Sequence, residues 1–275
     1  MPPPRVSVVI AAFNAGRWLD ACLTSVRQQT FRDWEAIICD DASTDDTARL
    51  LAECARGEPR LRILKNEVNL GNAATINRCL DAASGTYIAI QDADDVSLPD
   101  RLAVLVEFLD RYHMLAFASS GMFLFDDRGT YAFRQPRRAL PTRWSFLYST
   151  PFFHAPTMFR RGCLKAVGGY RQARETRRGL DFDLFMRLYA AGFRGGNLPA
   201  CLYGYRVGPE ALRRRRYRFR IDETIIRYKG YRALRLFPWA LPFVPKPLLA
   251  GAIPLATMAR IGRQLGRTSK KATEQ

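Results

Sequence analysis

Four times in its first half the chain passes from a short β-rich apolar run to a segment whose apolar residues recur with helical spacing. "RVSVVIAAFN" reads as a buried strand ending near Ala12. In the following "AGRWLDACLTSVRQQ", Trp18, Leu19, Cys22, Leu23 and Val26 share a helical face. "DWEAIICDD" is a second strand. "STDDTARLLAECA" is a helix capped by Ser43 or Thr44, with Asp45 and Asp46 in its first turn. "LRILKN" is a third strand, "GNAATINRCLDAAS" a helix closed by Gly85, "TYIAIQD" a fourth strand, and "PDRLAVLVEFLDRY" a helix with Pro99 at its start. Parallel strands need a crossover between them, and a helix is the usual one. The pattern therefore predicts an α/β fold with a doubly wound, mainly parallel sheet.

Such sheets bind ligands beyond the carboxyl ends of their strands. The polar clusters fall at those ends: Phe13–Asn14, Asp40–Asp41 and "QDADD", which holds Asp92, Asp94 and Asp95. Beyond residue 112 the alternation weakens. "MLAFASSGMFLFDDRGTYAFR" reads as two strands about an Asp-Asp-Arg-Gly turn, "DFDLFMRLYAAGF" as an amphipathic helix, "CLYGYRV" as a last strand and "LRRRRYRFRIDETIIRYKGYRALR" as a basic helix.

The two halves differ in charge. Residues 1–130 carry 13 basic and 19 acidic side chains, a net of −6, whereas 131–275 carry 30 and 7, a net of +23. The basic half predicts an anionic surface as partner. The six cysteines include no C-x-x-C pair, so buried free thiols are expected rather than a zinc or redox site. "MPPPRVSVVI" lacks the apolar core of a signal peptide, which predicts a cytoplasmic protein.

Asp92 and Asp94 stand two apart at the end of a strand, and in extended geometry both side chains point the same way. Two convergent carboxylates suit a hard divalent cation that takes its other oxygens from substrate phosphates. The alternative is a solvated acidic turn in which Asp95 caps the helix near Pro99. Asp41 is a candidate acceptor for a nucleobase N–H, alongside capping by Ser43 and Asp45. Phe13 is either a stacking platform for a base or a core residue.

"SVVIAAFNAGRWLDACLTSVRQQTFRDWEAIICDDASTDDT", "NLGNAATINRCLDAASGTYIAIQDADDVSLPDRL", "PFFHAPTMFRR" and "GLDFDLFMRL" follow one another in the order seen in family 2 inverting glycosyltransferases, which the chain resembles over about residues 5–207. The resemblance implies a nucleotide-diphospho-sugar transferase fold, a Mg²⁺ or Mn²⁺ ion, and single displacement onto an acceptor hydroxyl. It divides the chain into a catalytic domain, 1–209, and a basic, proline-rich extension, 210–275. By position it makes Phe13, Asn14, Asp41 and Asp92 nucleotide-binding, Asp94 and Asp92 metal-binding, and Asp181 the general base. His154 and Asp183 become candidates for the acceptor side. Asp183 also rivals Asp181 as base, although helical positions two apart face different ways. The family's glutamate before the base is Leu180 here. The histidine common after the last strand is replaced by Gly208 and Pro209, leaving Arg206 or the arginine run as substitutes in contacting phosphate.

"LFPWALPFVPKPLLAGAIPLATMARIGR" is long and apolar, but Lys246 and five prolines interrupt it. A transmembrane helix is disfavoured against an interfacial segment or a docked tail. With "LRRRRYRFR" beside it, peripheral attachment to an anionic membrane is expected in preference to nucleic acid. The resemblance implies a nucleotide-diphospho-sugar donor and a glycan or lipid-linked acceptor from surface-polysaccharide assembly. The alternatives are a nucleotidyltransferase on a similar sheet and a non-catalytic basic binding protein.

Overall fold

The computed structural model describes residues 3–208 and 217–252. β1 (Val6–Ala12), β2 (Trp34–Asp40), β3 (Leu61–Lys65) and β4 (Tyr87–Asp92) form a parallel set in the order β3-β2-β1-β4. They are joined by α1 (Gly16–Arg27), α2 (Thr47–Arg56) and α3 (Asn72–Ala82). After the two-residue β5 (Val96–Ser97) and α4 (Arg101–Arg111) the sheet becomes mixed. The short β8 (Thr157–Arg160) inserts antiparallel between β4 and the long β6 (Phe117–Asp126). β9 (Gly195–Arg206) runs parallel along one edge of β6 and carries β5 on its far side, while β8 and β7 (Gly129–Arg134) share β6's other edge.

Period-two alternation sorts the strand residues between two cores. Val8 and Ile10 of β1, Ala36 and Ile38 of β2, and Ala89 of β4 face α1, α2 and α4, where Leu19, Leu23, Leu51, Leu102 and Leu105 are buried. Val9, Ile37, Cys39, Ile88 and Ile90 face α3 and α6 (Leu180–Ala190), against Ile76, Cys79, Leu184 and Phe185. The six cysteines are free thiols, as expected, four of them buried and Cys54 and Cys201 half-buried.

Several local expectations are corrected. Gly85 does not close α3: that helix ends on Ala83 in extended conformation, and Gly85 is small because a Cβ there would lie 2.6 Å from the Ser7 backbone nitrogen. α2 starts later than expected, at Thr47. Asp45 accepts its first N–H in place of Ser43 or Thr44. Asp95 does not cap α4, whose N-cap position is Asp100; Asp95 is buried elsewhere.

The extension is not set apart from the sheet. α7 (Arg218–Ala233) packs on α6, and its Ile226 and Tyr231, followed by Leu234, Leu236 and Ala240, belong to the same core as β4. Phe243 meets Tyr148 edge-on at 5.5 Å, and Lys246, at the start of α8 (Lys246–Ala252), donates to the Tyr148 carbonyl at 2.8 Å. Among the described residues no helix is long and apolar enough to cross a membrane. Arg213–Arg216 and residues 253–275, which include Pro254, lie outside the described residues.

Candidate active site

Strand register places the polar clusters side by side. Ala12 pairs with Asp40 and Ala11 with Asp92, so β1, β2 and β4 end along one edge of the sheet. Asn14, in the left-handed region at φ 50°, ties the first two clusters together. Its side-chain oxygen accepts from the Thr44 N–H at 2.9 Å, and its own N–H donates to Ser43 Oγ at 3.0 Å. Beside it Phe13 is 50% exposed, which excludes the core alternative and leaves its ring open to a ligand.

Asp41 is buried and organises the loop that leads into α3. It accepts from Asn66 Nδ2 at 2.6 Å and from the N–H groups of Leu70 at 2.8 Å and Gly71 at 2.9 Å. Gly71 has φ 86°, a conformation that favours glycine, and it delivers Asn72 to the site.

Asp92 is the last residue of β4, but Asp94 is not in extended conformation. The chain turns at Ala93–Asp94, closed by the Asp95 N–H on the Asp92 carbonyl at 3.2 Å. The extended-strand argument for convergence of Asp92 and Asp94 is therefore corrected. A turn held from β9 carries them instead: the Asp92 N–H donates to Tyr203 Oη at 3.0 Å, Arg206 Nε to the Asp94 carbonyl at 3.1 Å, and the Arg206 N–H to Asp95 Oδ1 at 2.6 Å. Burial, then the charges of Asp92 and Asp94, hold the Asp95 carboxyl well above the usual carboxylate range. Beneath lies Arg101, fully buried, which donates to Gln91 Oε1, Ser97 Oγ and the carbonyls of Ile90 and Ala155. Burial lowers its pKa to about 10, so it remains a cation at neutral pH.

A cavity of about 1040 Å³ opens in front of this edge. Asp92 and Asn72 lie in its lining together with His154, Asp181 and Leu180. Phe13, Asn14, Asp41, Asp94 and Asp183 are not in the lining. His154 sits where the chain enters β8. Its Nε2 is 2.7 Å from Tyr170 Oη, and its ring lies edge-on to Tyr170. Burial lowers the His154 pKa, against the pull of Asp181. Burial likewise raises the Tyr170 phenol well above its ordinary value, helped by Asp92 and Asp181, so one hydroxyl feels both carboxylates.

The two aspartates of α6 part company. Asp181 is half-buried, lines the cavity, and makes no hydrogen bond or ion pair among the described residues. Asp183 is 5% exposed and faces away. It takes Arg187 Nε at 2.7 Å and lies 3.5 Å from Arg171 Nη1, while Arg187 also donates to the carbonyls of Val167 and Gly169. Asp183, expected as a candidate for the acceptor side, thus sits in an ion-paired structural position.

Among the described residues no group of three or more His, Cys, Asp or Glu side chains is placed to enclose a metal ion. Asp92 and Asp94, half-buried hard oxygen donors on one turn, fit instead a cation that completes its shell with diphosphate oxygens.

The family model for glycosyl transferase family 2 matches residues 7–168, more than half of the chain. The chain belongs to that family. The enzyme is 37% identical over 258 residues to EpsE of Bacillus subtilis (strain 168), assigned as a glycosyltransferase, covering 94% of this chain and 92% of that one. Its fold is shared with TarS of S. aureus, solved with UDP-GlcNAc, at a TM-score of 0.68 and 20% identity, over 85% of this chain and 71% of that one. It is also shared with the mannosyltransferase PcManGT from Pyrobaculum calidifontis, solved with GDP-Man and Mn²⁺, at a TM-score of 0.60 and 21% identity, over 96% of this chain and 80% of that one. The enzyme is a glycosyltransferase with an α/β nucleotide-sugar transferase fold.

Sequence reasoning gave no role to Tyr170, Tyr203 or Arg101, although Arg101 closes the "QDADDVSLPDR" stretch and Tyr203 lies in "CLYGYRV". Arg206 was singled out as a substitute for a phosphate-binding histidine. Its guanidinium lies instead against the Asp94 carbonyl and Asp127, outside the cavity lining.

Proposed function

We propose that the enzyme transfers a sugar from a nucleotide-diphospho-sugar to an acceptor hydroxyl by single displacement with inversion, with Asp181 as general base. The observation that carries this reading is the shared cavity, in which Asp92 at the sheet edge and Asp181 at the start of α6 are both present, with Asp181 in no hydrogen bond or ion pair among the described residues. Phe13 stacks on the base, and Asp41, with Asn14, forms the nucleotide end. Asp92 and Asp94 hold the Mg²⁺ or Mn²⁺ ion, which when bound neutralises charge growing on the leaving diphosphate. The Asp181 carboxylate takes the proton of the acceptor hydroxyl as that oxygen attacks the anomeric carbon from the face opposite the diphosphate. His154, held by Tyr170, keeps a neutral imidazole on the acceptor side of the same cavity.

The acceptor we infer is a polyprenyl-linked or other surface-polysaccharide precursor, met at the cytoplasmic membrane face. Supporting this, α7 and the segment after it expose Tyr217, Ile221, Tyr228, Trp239 (70% exposed), Leu241 and Leu249 among Arg232, Arg235 and Lys246. Aromatic and aliphatic side chains interleaved with cations suit an anionic interface. Deletion of the whole extension would strip core residues, so surface substitution is the sounder test. Trp239→Glu with Leu249→Glu should abolish co-sedimentation with phosphatidylglycerol vesicles while leaving the fold intact; unchanged partitioning would remove the membrane part of the reading.

For the chemistry, nucleoside-diphosphate release from UDP- and GDP-sugars is expected to require Mn²⁺ or Mg²⁺ and to collapse in Asp181→Asn. Metal-independent turnover that survives that substitution would overturn it.

A further inference from the structure

We propose that Arg206 is a positioning residue for the diphosphate end of the site: from the last strand it fixes the turn that carries Asp92 and Asp94, and so sets where their carboxylates point. The inference rests on the reading of those two aspartates as the metal-binding pair.

Four observations converge. Asp94 lies outside the β-ladder, so no ladder hydrogen bond holds its peptide. Contacts from β9 do so instead, and they reach all three acidic residues: Tyr203 holds the Asp92 N–H, Arg206 Nε holds the Asp94 carbonyl, and the Arg206 N–H holds Asp95 Oδ1. The guanidinium is itself clamped. Its carbon lies 4.0 Å from the centre of the Trp18 ring of α1 and 4.4 Å from that of Phe125 of β6, and the side chain is 12% exposed. A guanidinium stacked between two rings has few other rotamers, so the bond to Asp94 costs little further ordering.

The fourth observation is Asp127, in the β6–β7 turn. It bridges Arg206 Nη1 at 3.1 Å and Arg17 Nη2 at 3.0 Å, which orients the planar fork so that Nε faces the Asp94 carbonyl. Arg206 is not in the cavity lining, so it acts on the donor through the turn and not by touching it. A lysine would keep the charge but lacks a fork able to meet Asp94 and Asp127 together.

The test uses the full chain with Arg206→Lys and Arg206→Met, and Asp94→Asn as the control for the metal reading. UDP binding is measured by calorimetry with and without Mn²⁺, the Mn²⁺ dependence of donor turnover is followed, and amide exchange is read over residues 91–96. Both Arg206 variants should weaken Mn²⁺-dependent UDP binding about tenfold, the equivalent of ~1.4 kcal/mol. They should also raise the Mn²⁺ concentration for half-maximal turnover and speed exchange in the turn. Metal-free UDP binding should be unchanged, and turnover at saturating Mn²⁺ should stay within about threefold of the parent. If Asp94→Asn removes the Mn²⁺ effect while both Arg206 variants keep parental Mn²⁺ dependence and exchange, the positioning role is overturned and the metal reading stands. If Asp94→Asn leaves Mn²⁺-dependent binding intact, the metal reading falls and the inference falls with it. Should the methionine variant fail to fold, the lysine variant decides.

Discussion

Replacing Asp181 and Asp183 separately by asparagine should damage different properties of the enzyme. The Asp183 carboxylate is buried against Arg187 at 2.7 Å, with Arg171 3.5 Å away at a more exposed position. Arg187 also fastens the Val167 and Gly169 carbonyls at 2.7 Å each. Removing one member of a buried pair costs about 3–5 kcal/mol when a charge is left unpaired. Asparagine keeps one acceptor for Arg187 Nε, and the Arg171 contribution is screened, so about 2–4 kcal/mol is expected for Asp183→Asn. For a chain of this size that corresponds to a fall in Tm of roughly 3–7 °C. Asp181→Asn removes a carboxylate with no hydrogen bond or ion pair among the described residues, so Tm should stay within about 1 °C, while the loss of a general base lowers kcat about 10²–10⁴-fold. Differential scanning fluorimetry and donor turnover on both variants check the split. An Asp183 variant of parental Tm that has lost turnover, beside an Asp181 variant that retains it, would refute the assignment.

Asp41→Asn should cost about 2–4 kcal/mol, because an amide N–H₂ cannot accept from Asn66, Leu70 and Gly71 as the carboxylate does; urea unfolding reads this, and full stability with lost nucleotide binding would show a role only in reading the base. The pKa of His154 is lowered in the fold, so as pH falls through about 6.5 the unfolded chain takes up the proton first and stability drops. His154→Gln should therefore lessen the loss of unfolding free energy between about pH 6.5 and 5, by at most ~1.4 kcal/mol per pH unit, and parallel curves for the two proteins would contradict this.

Much of the donor half was legible because it is local. The alternation of apolar runs with helical spacing predicted the parallel set, and the carboxyl ends of the strands collected Phe13, Asp41 and Asp92 along one edge, as register confirms. The different outlook of Asp181 and Asp183 followed from helical geometry. What escaped was long-range. Nothing near "TMFR" shows that it will insert antiparallel between β4 and β6. Nothing near "QDADD" shows that Tyr203 and Arg206, over a hundred residues away, hold it. The capping alternative for Asp95 arose because an acidic residue before a proline looks like a cap, whereas the β9 amide of Arg206 draws it inside. The sequence marked residues 210–275 as an extension without showing where it packs, and the burial of Tyr231 and Leu236 in the core shared with α6 and β4 depends on packing that composition does not encode.

The central claim is that a nucleotide-diphospho-sugar binds through Asp92 and Asp94 with a divalent cation. Thermal stability in the presence of UDP- and GDP-sugars, with and without Mn²⁺, tests it most directly. At about 100 times Kd a ligand should stabilise the fold by ~2.7 kcal/mol. At least one donor should produce this shift with Mn²⁺, and Asp92→Asn and Asp94→Asn should erase it. A panel in which no nucleotide sugar shifts the parent protein, or in which both variants respond as the parent does, would contradict the account.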